Sequence, residues 1–140
     1  MELSEALFSL LHGIKHQIIQ QVKQSDLDLS LMHLKTLKMI SMIELCTGQK
    51  LASLIGRDKA QINRLIKELV NQELVIKTQD ENDGRSYFLS LSKHGLELIA
   101  KFNEIENKVL NNMARDIPPE DISAFIELAK VFKKNLTIEY

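Results

Sequence analysis

A short polar cluster follows a single glycine in the segment LIGRDKAQINRL, residues 54–65. The cluster contains Lys59 and Arg64, whose side chains donate hydrogen bonds, and Gln61 and Asn63, whose amides donate and accept them. Amide and guanidinium groups can bind the base edges exposed in a DNA major groove, and lysine and arginine also bind phosphates. The solvated side of an amphipathic helix has the same composition, so the cluster alone leaves both interpretations open.

The placement of this cluster depends on the helices predicted around it. Apolar residues at three- and four-residue spacing predict a helix over about residues 59–72, and its buried side would hold Ile62, Leu65, Ile66 and Leu69. Asp58 is the expected N-cap, because its carboxylate can accept from the free N–H groups of that helix. A helix of about two turns is predicted before the glycine, with an apolar side of Leu51, Leu54 and Ile55. The helix before Gly56 and the helix after it would together form a helix-turn-helix.

Charge is unevenly distributed along the chain. The formal net charge is -1, yet residues 49–77 hold six basic and three acidic residues, whereas residues 1–48, 78–100 and 101–140 each hold more acidic than basic ones. Local charge steers binding more than the total does. The only basic segment is therefore the one that contains the polar cluster.

The remaining elements follow from changes in periodicity. Leu7, Leu10, Leu11, Ile14, Ile18 and Val22 predict a first helix, and a second is predicted from about Leu31 to Leu45 with Gly48 closing it. The alternating segments LVIKT and SYFLSLS predict a hairpin whose long tip, QDENDGR, carries Arg85. Ser92 is expected to cap a helix through about Met113, with a seam of Leu98, Phe102, Ile105 and Val109. The segment DIPPED should open a last helix carrying Ile122, Phe125, Ile126, Ala129 and Phe132.

Composition and motifs exclude several classes of protein. The chain has 140 residues, 44% of them apolar, which indicates one globular domain. No apolar run is long enough to cross a bilayer, and the N-terminus is acidic where a signal peptide would be basic, so a cytoplasmic location is predicted. No phosphate-binding glycine loop, nucleophile elbow or zinc signature is present, so no enzyme activity and no cofactor are predicted.

Two further sites invite a sensing role. His12 and His16 are four residues apart, the spacing of two metal ligands, but no nearby carboxylate or cysteine completes a set, so no metal is predicted. Cys46, the only cysteine, has no basic residue adjoining it and is expected to be a buried, inert thiol rather than a redox switch.

The segments LASLIGRDKAQINRLIKELVNQELVIK and DENDGRSYFLSLSKHG resemble the MarR (multiple antibiotic resistance regulator) family of bacterial winged helix-turn-helix transcription factors. The resemblance covers nearly the whole chain in element order. It implies a mainly α fold with a small β-hairpin wing, in which residues 31–92 form the winged helix-turn-helix and residues 1–30 and 93–140 form flanking dimerisation helices of a single domain. Gly84 and Glu73 depart from the family pattern, which often has a wing arginine and a glycine at these positions.

The resemblance also implies site residues and partners. Lys59, Gln61, Asn63 and Arg64 would face the major groove and Arg85 the minor groove, with support from Arg57, Lys67 and Asp83. Asp83 would orient Arg85 by a charge-assisted hydrogen bond. The implied protein is a homodimeric repressor that binds a pseudo-palindromic operator in double-stranded DNA and is released by a small-molecule or oxidant signal. The alternative is a degenerate winged-helix module that binds protein.

Overall fold

The computed structural model describes residues 1–137. This part of the chain forms six helices and one antiparallel hairpin. The elements in order are α1 Leu3–Gln24, α2 Leu31–Met42, α3 Gly48–Ile55, α4 Lys59–Asn71, β1 Val75–Asp80, β2 Asp83–Leu91, α5 Lys93–Met113 and α6 Pro119–Leu136. The predicted fold class, mainly α with a small hairpin, is confirmed. None of the helices in this range combines the length and hydropathy that a bilayer crossing requires.

The core lies where α2, α3, α4, the hairpin and α5 meet. Its fully buried large side chains include Leu34, Leu37, Leu51, Ile62, Leu69, Leu74 and Phe102. The C-terminal half of α1 covers this core with Ile18 and Val22. Burial of large apolar side chains contributes about 1.5–3 kcal/mol each, so this cluster fixes the orientation of α4.

The turn between α3 and α4 forms as predicted. Gly56 ends α3 with a φ of 71°, a left-handed conformation that residues with a Cβ rarely adopt. Asp58 caps α4, because its Oδ1 accepts from the backbone N–H of Gln61 at 2.8 Å. The helix-turn-helix is therefore built by the residues expected to build it.

The end of α2 differs from the prediction. The helix ends at Met42 rather than near Leu45, and Gly48 does not close it, because Gly48 is the first residue of α3 and Thr47 is the N-cap. The chain leaves the helix so that the carbonyl of Cys46 can accept from the N–H of Leu89 on the wing at 2.8 Å. Leu45, where the helix was predicted to end, has a φ of 49° and is 61% exposed.

The apolar side of α3 is narrower than predicted. Leu51 is fully buried and Ile55 is partly buried, but Leu54 is 62% exposed. The core side of α3 is therefore formed by Leu51 and Ile55, which are four residues apart on the helix.

The hairpin has a tight tip instead of a long one. Only Glu81 and Asn82 separate the strands, and the carboxylate of Asp80 accepts from the N–H of Asn82 at 2.9 Å. The register runs from Val75 opposite Leu91 to Gln79 opposite Tyr87 and then jumps to Asp80 opposite Asp83. Residues 84–86 thus form a bulge on β2, and Arg85 lies on this bulge rather than on a long loop.

The last two helices begin where predicted and differ in burial. Ser92 caps α5 by accepting from the N–H of Gly95 at 3.0 Å, and in the expected seam Phe102 and Val109 are buried while Leu98 and Ile105 are partly buried. In contrast, α6 has no buried residue among those described. Its exposed large apolar side chains are Phe125, Ile126, Leu128, Val131, Phe132 and Leu136.

Candidate nucleic-acid interface

The exposed face of α4 is set by the residues that bury its other side. Ile62, Ile66 and Leu69 point into the core. The other positions of α4 are polar and exposed at Glu68, Asn71 and the five residues assigned to DNA binding from the sequence, namely Lys59, Gln61, Asn63, Arg64 and Lys67. The sequence placed these five residues on one helix and away from its core side. They lie there in the structure.

The cations of this face are available to an external partner. The ion pairs found within residues 1–137 involve none of Lys59, Arg64 and Lys67. Arg57, in the turn before the Asp58 cap, is also exposed. The Asp58 carboxylate already occupies the N-terminal end of α4, so the attraction of this surface for an anionic partner comes from the exposed cations.

Asn63 has a neighbour that the sequence did not reveal. A Cβ placed on Gly48 would lie 3.6 Å from the Asn63 Oδ1, so the amide lies against the first turn of α3. The side chain remains exposed.

On the wing, Asp83 organises the bulge that holds Arg85. Its Oδ1 accepts from the backbone N–H of Arg85 at 3.1 Å and its Oδ2 accepts from the hydroxyl of Ser86 at 3.0 Å. The expected contact with Arg85 is thus made to the main chain, and the charge-assisted bond to the guanidinium that was predicted is not formed. The Arg85 side chain is exposed and remains free of Asp83.

A second basic group on the wing was missed by the sequence-based assignment. Lys77 of β1 lies with its Nζ 4.7 Å from the centroid of the Tyr87 ring on β2, a cation–π contact. Lys77 pairs with Leu89 and Tyr87 with Gln79, so the two side chains are diagonal neighbours. A correct register would have placed them together, but the register depends on the bulge.

Another pair that was missed joins the helix-turn-helix to α2. His33 Nε2 and Glu68 Oε2 are 2.6 Å apart, although 35 residues separate them in sequence. Glu68 is the only acidic residue of α4, and nothing in the local sequence indicates its partner.

The candidate sensing residues are placed as follows. Cys46 is buried at 1% exposure, and burial raises the pKa of its thiol, partly offset by the positive charge of Lys50. Lys50 was not expected beside Cys46. Its Nζ donates to the carbonyls of Glu44 and Leu45.

His12 and His16 are exposed, with ring centroids 6.3 Å apart. Within residues 1–137, no group of three or more His, Cys, Asp or Glu side chains is arranged to hold a metal ion.

The arrangement of α2, α3, α4 and the hairpin defines a winged helix-turn-helix protein. The sequence model of the MarR family matches residues 29–87, which span α2, α3, α4, β1 and part of β2. The resemblance noted in the sequence is confirmed. No curated protein sequence matches the chain.

Solved structures share the fold over nearly the whole chain. A DNA complex of S. aureus MepR is 17% identical with a TM-score of 0.80, covering 97% of this chain and 99% of that one. MarR is 20% identical with a TM-score of 0.79, covering 96% and 90%. Streptococcus pneumoniae FabT in complex with DNA is 15% identical with a TM-score of 0.79, covering 96% and 94%. At these identities the likeness establishes the fold.

Proposed function

We propose that this protein is a DNA-binding transcriptional regulator that reads its operator with α4. The observation that carries the proposal is the exposed face of α4, where Lys59, Arg64 and Lys67 have no acidic partner within the described residues. The solved structures of MepR and FabT, which share the fold, are complexes with DNA. The location expected for such a protein is the cytoplasm.

Each candidate residue has a role in this proposal. Arg64 and Lys59 bind base edges or phosphates, while Gln61 and Asn63 bind adenine edges. Arg57 and Lys67 add phosphate contacts beside them. Arg85 enters the minor groove from the wing bulge that Asp83 holds in place, where it responds to groove width more than to sequence.

We further propose a homodimer formed by the flanking segments 1–30 and 93–137. The support is unburied apolar surface: α6 has no buried residue, and the N-terminal half of α1 exposes Leu3, Leu7, Phe8 and Leu11. Surface of this extent is unusual for a monomer. A two-fold dimer would place two copies of α4 about 34 Å apart, which requires a pseudo-palindromic operator. A mass of one chain in light scattering at micromolar concentration would contradict the dimer.

The proposed mode is repression that a small-molecule signal relieves. A ligand can release DNA only if it binds one spacing of the two winged lobes more tightly than the other. An oxidant signal through Cys46 has less support, because the thiol is buried and burial raises its pKa. No enzyme activity forms part of the proposal.

The test is fluorescence anisotropy with DNA from upstream of the protein's own gene, against scrambled DNA, at several salt concentrations. We expect selective binding that weakens steeply with salt and is lost in Arg64→Ala. Lys35→Ala is the control, since Lys35 is an exposed cation of α2 that is neither a candidate DNA contact nor part of the proposed dimer segments. The expectation for the control is unchanged affinity.

Two results would count against DNA reading. Equal loss of affinity in Arg64→Ala and Lys35→Ala would indicate a nonspecific effect of charge. Absence of binding to genomic DNA fragments even at low salt would favour the alternative, a winged-helix module that binds protein.

A further inference from the structure

The contact between His33 and Glu68 connects α2 to the proposed recognition helix. His33 is in the first turn of α2, where the hydroxyl of the N-cap, Ser30, accepts from the His33 backbone N–H at 3.2 Å and also contacts the ring Nδ1. If the hydroxyl proton is directed at Nδ1, the ring proton is on Nε2, which donates to Glu68 Oε2 at 2.6 Å. The ring is therefore held by contacts at both nitrogens, and the His33 side chain is 19% exposed.

Glu68 occupies a critical position on α4. It is four residues after Arg64, and side chains at this spacing are neighbours on a helix surface. No other acidic residue of α4 is available to pair with its cations. A free Glu68 carboxylate would therefore have Arg64 as its nearest helical cation, and it would also repel DNA phosphates.

We propose that His33 is a positioning residue that holds the Glu68 carboxylate away from Arg64 and so leaves the Arg64 guanidinium free for DNA. The inference rests on the proposed function for its effect on DNA binding, but the pairing of Arg64 with Glu68 can be measured without DNA. The side chain of Glu68 is 46% exposed, so packing confines it only in part once its partner on α2 is removed.

An alternative role for the contact between His33 and Glu68 is only to fix the orientation of α4 relative to α2. The two roles differ in what the loss of Glu68 does. If Glu68 is an inhibitor that His33 restrains, Glu68→Gln leaves DNA affinity unchanged or higher. If the contact only orients α4, Glu68→Gln and His33→Leu weaken DNA binding alike.

The experiment is a double-mutant cycle on DNA affinity with His33→Leu, Glu68→Gln and the two combined. We expect His33→Leu to weaken DNA binding about two- to threefold, because Glu68 would then form an exposed i, i+4 pair with Arg64 and such pairs are weak. The combined variant should regain the affinity of Glu68→Gln. His33→Gln should retain most of the affinity, because its amide can still donate to Glu68. The matched control is Lys38→Met, which breaks the ion pair between α2 and Glu106 of α5 and should leave affinity unchanged.

A second readout uses the free protein. The NMR signal of the Arg64 Nε–H should shift in His33→Leu as a carboxylate approaches it, and the shift should vanish in the combined variant. If the wild type binds no DNA, the proposed function fails while this measurement still decides the inference. No shift in His33→Leu, or a combined variant that binds DNA as weakly as His33→Leu, would overturn the role proposed for His33.

Discussion

Gly95 at the start of α5 lies directly against the backbone of Leu74 at the start of the wing. A Cβ on Gly95 would be 2.3 Å from the carbonyl oxygen of Leu74 and 3.4 Å from the Cβ of Leu91. The same carbonyl accepts from the N–H of Ser92 at 3.0 Å, so it cannot move away without loss of that bond. The wing and α5 are thus joined at a point that only glycine allows.

We therefore expect Gly95→Ala to lower the free energy of unfolding by about 1–3 kcal/mol, the usual cost of an overpacked interior. Chemical denaturation followed by circular dichroism would measure the loss. Gly84→Ala is the matched control, since a Cβ there meets only the Gln79 side-chain nitrogen at 3.6 Å, and its stability should change little. Equal stabilities of the two variants would contradict the close contact.

Glu73 adopts a left-handed conformation at the end of α4, with a φ of 59°. The N–H of Leu74 donates to Leu69 and that of Glu73 to Val70, which is a Schellman motif with a glutamate at its left-handed position. We expect Glu73→Gly to stabilise the protein by about 0.5–1 kcal/mol, since glycine removes the steric strain but loses more backbone entropy on folding. Gln72→Gly, where φ is -83°, should destabilise instead. Thermal unfolding of both variants would contradict this account if their shifts had the same sign.

Local sequence signals were sufficient for the helix-turn-helix. The Gly56 turn, the Asp58 cap and the apolar spacing of α4 each act within a few residues. The turn and the cap are confirmed, and the predicted buried side of α4 is confirmed except for Leu65, which is partly buried. The end of α2 could not be predicted in this way, because Cys46 leaves the helix to bond with Leu89, which is far along the chain. The same limit applies to the bulge around Arg85 and to the pair formed by His33 and Glu68, whose partners are set by tertiary packing.

Gly84 can accept a larger side chain on the wing bulge. A Cβ on it would have only an ordinary contact with Gln79, and the family pattern that the sequence resembles often has an arginine here. We expect Gly84→Arg to tighten DNA binding and to steepen the dependence of log K on log salt by about 0.9, the value for one added phosphate contact. Gly84→Gln supplies similar bulk without charge and should leave the slope unchanged. Identical slopes for the two variants would show that the bulge does not approach DNA.

Cys46 should react slowly with thiol reagents in the native protein. The thiol is 1% exposed, and burial raises its pKa above the ordinary 9.0, which reduces the nucleophilic thiolate at neutral pH. Because the folded pKa is the higher one, the stability that this group contributes is present below pH 9 and is lost as pH rises through the folded value. Leu54→Cys in a Cys46→Ala background is the exposed control and should be labelled at once. We expect wild-type labelling to accelerate with denaturant as the core opens, and rapid labelling in native buffer would reopen Cys46 as a redox sensor.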